Sequence, residues 1–365
     1  MIGCLSELFR RRGFEECCEQ WRYREIKKDF YADIYDGKIW KDFSDEEKQF
    51  LSVPGNLAFM LNIDWFQPFK RRADISVGVL FLVILNLPRN QRYKRENVIL
   101  LGVLPPLSKL PDSVNTFLEP VVSELQRLWQ GVDFHTHNSP SRKVKRRAAL
   151  LCVAADIPAA RKICGFPPHM AKKGCSRCLK EFHGFGITKD YSGFNRDIWT
   201  PRHDTLHRQH ADKIRNTLNV NEKEKLQKRF GVKYSELLKL PYYDSVKFCI
   251  IDPMHNLYLG TAKKIFTLWV ESGILSASKL DRLNVLISEV KLPSGTARLP
   301  AKISSNYSSF KVAHWKLWTL VYYLYCFSKF PTRNQARKPL YPEVHMVIFL
   351  TRGREGLYSK ILSVK

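Results

Sequence analysis

Two aspartates and two cysteines have the spacing in this chain that suits chemistry. Asp64 ends a short apolar run, Leu57–Ile63, and Asp156 ends a second one, Ala148–Ala155, 92 residues later. A carboxylate at the end of a core strand costs free energy unless it is solvated, paired or bound to a metal. Two such carboxylates brought together raise each other's pKa unless a cation lies between them. A pair of divalent ions about 3.5–4 Å apart, held this way, activates water and stabilises the leaving oxygen in phosphodiester cleavage. The plainer alternative is two unrelated strands that each end in a polar residue. Cys175 and Cys178 form a Cys-x-x-Cys turn, which supplies two of the four ligands of a zinc ion. His169, His183, His203, His207 and His210 are candidates to complete it, as is the Asp252-x-x-His255 pair, whose spacing puts both residues on one side of a helical turn. The plainer alternative here is two small buried thiols.

The elements that must position these residues follow from pattern. Leu57–Ile63 is long enough for a strand and too short for a buried helix, and Pro68 stops regular structure beyond it. Ser76–Asn86 reads as a central strand, and Glu96–Leu104 as a third, stopped by Pro105-Pro106. Short connections suggest an antiparallel meander. Val114, Leu118, Val121, Leu125 and Leu128 recur at helical spacing, with Pro120 inside and Gly131 after the last turn. The basic segment Arg142–Arg147 leads into the Ala148 strand. Asp156 then stands at the start of a helix with Pro158 in its first turn. The order strand, strand, strand, helix, strand, with acids ending the first and fourth strands, is that of a ribonuclease H-like core.

Other segments are less chemical. Cys4–Phe9 and Phe14–Trp21 suggest short amphipathic helices, and Asp36-Gly37 inside Ile34–Trp40 signals a hairpin. The first 50 residues look like the tail of something larger upstream. Residues 200–240 read as solvated helices of an insertion, with Leu218, Leu226 and Leu237 sparse among charges. Asn256–Val270 is an amphipathic helix, and 291–303 a loop. Trp315–Tyr323 is an aromatic helix with core character, and Val344–Leu350 reads as one more strand.

Composition narrows the class. The 365 residues carry 60 Lys and Arg against 35 Asp and Glu, a net charge of +25. That excess points to a polyanionic partner, with nucleic acid ahead of an anionic membrane. The longest apolar run, Val77–Leu87, is too short for the roughly 20 residues of a spanning helix. Nine scattered cysteines do not form a disulfide framework and suit a reducing compartment, cytosol or nucleus.

The runs LNIDWFQPF (61–69), SVGVLFLVILNLPRNQRYKRENVILLGVLP (76–105), ADIPAARKICGF (155–166), GCSRC (174–178) and IDPMHNLYLGTAK (251–263) resemble the CACTA (En/Spm-like) DNA transposases. They fall in the right order over roughly residues 1–325. The resemblance implies an α/β fold: a ribonuclease H-like mixed sheet with a largely helical, zinc-binding insertion. The expected division is a flanking segment (1–50), a core with the first two acids (51–170), and an insertion with both metal motifs (171–255). A helical completion of the core (256–330) and a divergent tail (331–365) follow. By resemblance, Asp64 and Asp156 are the first two metal-binding acids of an Asp-Asp-Glu triad. Cys175, Cys178, Asp252 and His255 are a zinc site resembling that of the V(D)J recombinase. Glu271 is taken as the third acid, with Glu289 an alternative, because Ala313-His314-Trp315 brings no acid beside the tryptophan. Two Mg²⁺ ions (or Mn²⁺) and a structural Zn²⁺ are the implied cofactors. Arg142, Lys143, Lys145, Arg146 and Arg147 are expected to contact DNA phosphates at transposon ends. The implied compartment is the nucleus, no membrane is involved, and the sequence admits a homo-oligomer. The tail beyond 330 is unlike the family and no terminal-repeat-binding finger is seen. The competing expectations are therefore a catalytically inactive, transposon-derived DNA-binding protein or fragment, and a zinc-stabilised interaction module.

Overall fold

Among residues 1–329, the computed structural model describes all but 27–29, 46–49, 70, 72–74, 108–112, 185–189, 191–194, 294–295, 297 and 301. The strand expected at Val344–Leu350 lies outside the described residues. The chain divides into two compact units, 1–251 and 252–365.

The first unit is built on strands β1 (Leu57–Phe66), β2 (Ser76–Ile84), β3 (Val98–Leu107), β4 (Val132–Thr136), β5 (Ser139–Arg146) and β6 (Ala148–Val153). Four of them form a mixed sheet in the order β3-β2-β1-β6. β2 runs antiparallel to β1 and β3, the expected meander, and β6 runs parallel to β1. Leu57, Ala58, Phe59 and Leu61 are all at most 1% exposed, so the first half of β1 is covered on both faces, as a central strand must be. Pro105 and Pro106 do not stop β3 as expected. β3 is an edge strand, where a missing N–H breaks no ladder, and its register with β2 slips near the prolines, between Ser76 and Gly78. Beyond β6 the chain returns along the sheet's other edge. Cys249 bridges Val153 in parallel, and the Ile250 amide donates to the Val153 carbonyl at 3.1 Å.

The basic segment before β6 is itself a strand. β5 pairs antiparallel with β4 in a separate two-stranded sheet, and Arg147 alone separates β5 from β6. The hairpin is held by the N-terminal helices α1 (Ile2–Phe9) and α2 (Phe14–Glu19). Phe9 packs on Phe134 at 5.0 Å, and the His137 amide donates to the Phe9 carbonyl at 2.8 Å. Leu5, Leu8, Phe9 and Trp40 thereby join the same buried core as the sheet. The hairpin expected at Asp36-Gly37 is replaced by a 3₁₀ turn, Ile34–Asp36, followed by helix α3 (Lys38–Asp42). The Asp36 carboxylate accepts from the amides of Ala32 and Asp33, which favours the turn. Gly37 has φ −71°, outside the positive region that a tight hairpin turn needs.

Helix α4 (Arg89–Arg92) follows β2, and α5 (Asn115–Gln130) follows β3. Pro120 sits in the second turn of α5 without breaking it, and Gly131 closes its C-terminus with φ 109°. α5 packs on β6, while α6 (Ile157–Cys164) packs on both β1 and β6. The insertion carries α7 (Asp204–Asn216) and α8 (Val220–Phe230) around a small core of Ala211, Ile214, Leu226, Val232 and Leu238. A short α9 (Ser245–Phe248) leads back to the sheet edge.

The second unit is helical among the described residues. A π-helical stretch, Met254–Ala262, runs into α10 (Lys263–Glu271), so the expected amphipathic helix forms with a widened first half. α11 (Ala277–Glu289), α12 (Ile303–Asn306), α13 (Val312–Leu317) and α14 (Tyr323–Ser328) follow, the last two joined by a π-turn at Trp318–Tyr322. Phe266, Trp315, Trp318 and Tyr322 are buried together, so the aromatic helix is core as expected. No helix among the described residues is long and apolar enough to cross a membrane.

Candidate active site

The parallel pairing of β1 and β6 fixes the level of the two aspartates. Leu61 pairs with Val153, and the Ala154 amide donates to the Leu61 carbonyl at 2.9 Å. Asp64 stands three residues beyond Leu61, and Asp156 three residues beyond Val153. Both therefore lie beyond the same end of the β1–β6 ladder, whose strands run about 4.8 Å apart where paired, with Asp64 still within β1 and paired with Val79 of β2, and Asp156 past the end of β6. Side chains alternate along a strand, so Asn62 and Asp64 share one face of β1. The Asn62 carboxamide donates across to the Ala154 carbonyl and holds the turn that leads to Asp156.

The two carboxylates differ in setting. Asp64 is exposed, beside the 3%-exposed Ile63, and makes no hydrogen bond or ion pair among the described residues. Its neighbour Trp65 lies over Gly78 of β2, where a Cβ would come within 2.9 Å of the indole. Asp156 is the N-cap of α6, with Oδ1 accepting from the Ala159 amide at 2.7 Å. That leaves Oδ2 without a partner among the described residues. The capping role by itself accounts for an aspartate at this position.

The Cys-x-x-Cys turn is held as a knuckle. The Arg177 amide donates to Cys175 Sγ at 3.3 Å. Burial pushes the Cys178 thiol up, and a hydrogen bond from the Lys180 backbone opposes that. The turn is zipped to the 200–202 segment by a bridge between Cys178 and Pro201 and by Arg202. Arg202 is 7% exposed and donates to the carbonyls of Cys175 and Cys178 at 2.8 and 3.1 Å. Burial pulls its pKa down, while the two cysteine sulfurs favour its charge. Of the candidate histidines, His207 is 3% exposed with neither ring nitrogen hydrogen-bonded among the described residues, and it packs on Phe166. Burial, then the charges of Arg202, Arg208 and His210, lower its pKa to about 3. His210 stacks on Phe230 at 3.8 Å.

In the second unit, His255 Nδ1 meets Asp252 Oδ2 at 2.5 Å, so the i, i+3 pair forms as expected, and Asp252 Oδ1 also accepts from the Met254 amide. Glu271 is exposed at the end of α10, and Glu289 accepts from the Tyr325 hydroxyl at 2.8 Å. Within each unit, among the described residues, no three His, Cys, Asp or Glu side chains converge as a metal-binding group.

The five basic residues separate into two sets. Arg142, Lys143 and Lys145 are exposed on β5. Arg146 is paired with Glu15 at 2.7 Å, with side chains only 20% and 11% exposed. Arg147 lies over the rings of Phe50 and Trp129 and donates Nε to the Trp129 carbonyl at 2.7 Å. These two arginines build the fold. Sequence reasoning did not identify Asn62, although its place two residues before Asp64 on a strand was the available signal.

This is a mixed α/β protein with an aspartate on each of two parallel strands' chain paths just beyond their ladder, and a large cationic excess. The family model described as Transposase family tnp2 matches residues 31–229, more than half of the chain. The chain belongs to the tnp2 transposase family. The matched span includes Asp64, Asp156, Cys175 and Cys178. No curated protein matches the chain.

Proposed function

We propose that this chain is a cut-and-paste transposase of the CACTA (En/Spm-like) group, with a ribonuclease H-like core that cleaves and transfers DNA strands. The observation that carries the reading is the parallel ladder of β1 and β6, with Asp64 and Asp156 at matched positions beyond it. The sheet order β3-β2-β1-β6, extended in parallel at Cys249, supports the ribonuclease H-like assignment. Family membership and the charge of +25 support DNA as the partner, and the transposon ends and the nuclear compartment belong to the same proposal.

The residues fit a divalent cation in part. Among the described residues Asp64 has an exposed carboxylate without a hydrogen-bond or ion-pair partner, and Asp156 retains Oδ2 after capping α6. Mg²⁺, or Mn²⁺ in its place, would supply Lewis-acid activation of water and charge neutralisation at the leaving oxygen. Asn62 holds the β6–α6 turn, and so the position of Asp156, through Ala154. The third acid of the proposal is Glu271, exposed on the second unit. Cys175 and Cys178 fit half of a structural Zn²⁺ site, since backbone amides are aimed at both sulfurs and the Arg202 charge partly opposes the upward push that burial gives the Cys178 thiol. Arg142, Lys143 and Lys145 are the exposed members of the phosphate-binding set.

Nicking of supercoiled plasmid in Mg²⁺ or Mn²⁺ tests the reading. The expected result is metal-dependent nicking that falls at least about 100-fold in Asp64→Asn. Nicking unchanged by that substitution would remove Asp64 from the chemistry. DNA binding without nicking, on DNA carrying the transposon ends, would leave the inactive DNA-binding protein instead.

A further inference from the structure

The insertion encloses a cavity of about 970 Å³ between the end of α6, the 167–173 segment and helices α7 and α8. Its volume is at the upper end of the roughly 300–1,000 Å³ of small-ligand pockets. That space is concave and too confined for a duplex, but it admits a few unstacked nucleotides. Seven lysine and arginine side chains line it against one carboxylate, Glu224.

The cations are unequally committed. Lys172 and Lys173 share Glu181, at 2.7 and 3.5 Å, and Arg215 lies over the Tyr234 ring at 4.8 Å. Lys223 and Lys233 have no carboxylate partner among the described residues. Like charges gathered around a cavity repel one another, which favours an anionic occupant. The rest of the lining mixes polar side chains, among them Asn115, His183 and Gln227, with apolar Pro167, Pro168, Met170 and Phe182 presented among the charges. Met170 is 41% exposed in this setting. Phosphate-binding cations interleaved with apolar surface and an aromatic ring suit single-stranded nucleic acid, phosphates on the first and base faces on the second. The cavity also lies along α6 from the acid pair. Lys162 is six residues beyond Asp156, roughly 9 Å along the helix axis at 1.5 Å per residue.

We propose that this cavity binds a single-stranded segment of DNA flanking the cleavage point. Its phosphates lie on Lys223 and Lys233, and its bases lie against Pro168, Met170 and Phe182. The proposal rests on the reading of the chain as a DNA transposase and adds to it where the strand goes beside the acids.

Fluorescence anisotropy with the full chain tests it, using a labelled 15-nucleotide single strand and the corresponding duplex. The first variant is Lys223→Glu with Lys233→Glu, and Lys223→Gln with Lys233→Gln replaces it if thermal melts show that the reversal does not fold. Phe182→Ala is the second. The cavity variants are expected to lose at least about tenfold in single-strand affinity and less on duplex. The salt dependence of single-strand binding should fall by about 1.4 in slope for two lost phosphates. Arg142→Glu with Lys143→Glu on β5 is expected to weaken duplex binding more than single-strand binding. Single-strand affinity unchanged in both cavity variants would overturn the proposal, as would equal losses from the β5 variant. Competition by polyglutamate as strong as by oligonucleotide would also overturn it, reducing the cavity to a general anion or acidic-peptide site. Those outcomes leave the transposase reading standing. Failure of the unaltered chain to bind any DNA would remove both.

Discussion

The guanidinium of Arg177 donates to the carbonyl of Cys249 at 2.7 Å. Cys249 is the residue bridged to Val153, so this bond ties the Cys-x-x-Cys turn to the edge of the sheet at the end of β6. A second bond from the same group reaches the Val246 carbonyl. The cysteine turn and the parallel strands are therefore one mechanical unit, although 72 residues separate the two partners.

Arg177→Ala should cost about 2–3 kcal/mol in unfolding free energy, because it leaves two carbonyls without their charged donor. Arg177→Lys should recover only part of this, since an ammonium lacks the planar fork that serves both oxygens. Urea titration of the three proteins measures it. Equal midpoints would mean that the turn is held by other contacts.

Asp156 has two separable roles, and two substitutions separate them. Asp156→Asn keeps an oxygen that accepts from the Ala159 amide, so stability should hold within about 0.5 kcal/mol while metal-dependent nicking is lost. Asp156→Ala should lose nicking and also about 1 kcal/mol of stability. Full nicking by the Asn variant would confine Asp156 to capping.

His207 makes the first unit sensitive to mild acid. Burial first, then neighbouring cations, lower its pKa from 6.5 to about 3, so the folded state keeps it neutral while the unfolded chain takes up a proton. Unfolding then gains protons, and stability is lost as pH falls below 6.5. The loss is about 1.4 kcal/mol per pH unit, or about 2 kcal/mol by pH 5. His207→Leu should flatten the dependence of the urea midpoint on pH between 7 and 5. An unchanged slope in that variant would place the acid sensitivity elsewhere.

The cysteine knuckle gives a spectroscopic expectation. Purified chain should carry about one equivalent of zinc, and Co²⁺ exchanged into it should show sulfur-to-metal charge transfer. Cys175→Ser should abolish both. Metal-free protein with the same melting temperature as the loaded form would make the cysteines a packing feature.

Local pattern made much of this molecule legible. The strands around Asp64 and Asp156 were readable because short apolar runs ending in acids and breakers leave little freedom, and the cap on α6 because Asp156 precedes a proline-bearing first turn. The β4–β5 hairpin was not readable. Its second strand is mostly polar and exposed, and it becomes a strand through Phe134, which α1 covers from the far end of the sequence.

The sequence by itself determined the family motifs, the central strands and the excess of cations, since these depend on composition and on neighbours a few residues apart. The tertiary structure alone decided which cations remain available. Glu15, 131 residues from Arg146, and the rings of Phe50 and Trp129 around Arg147 turn two arginines into scaffold. The lysines of the cavity, dispersed from Lys162 to Lys233, become a single site because α6, α7 and α8 pack around one space. Charge is additive along a chain, but its use depends on which groups folding places within a hydrogen bond of one another.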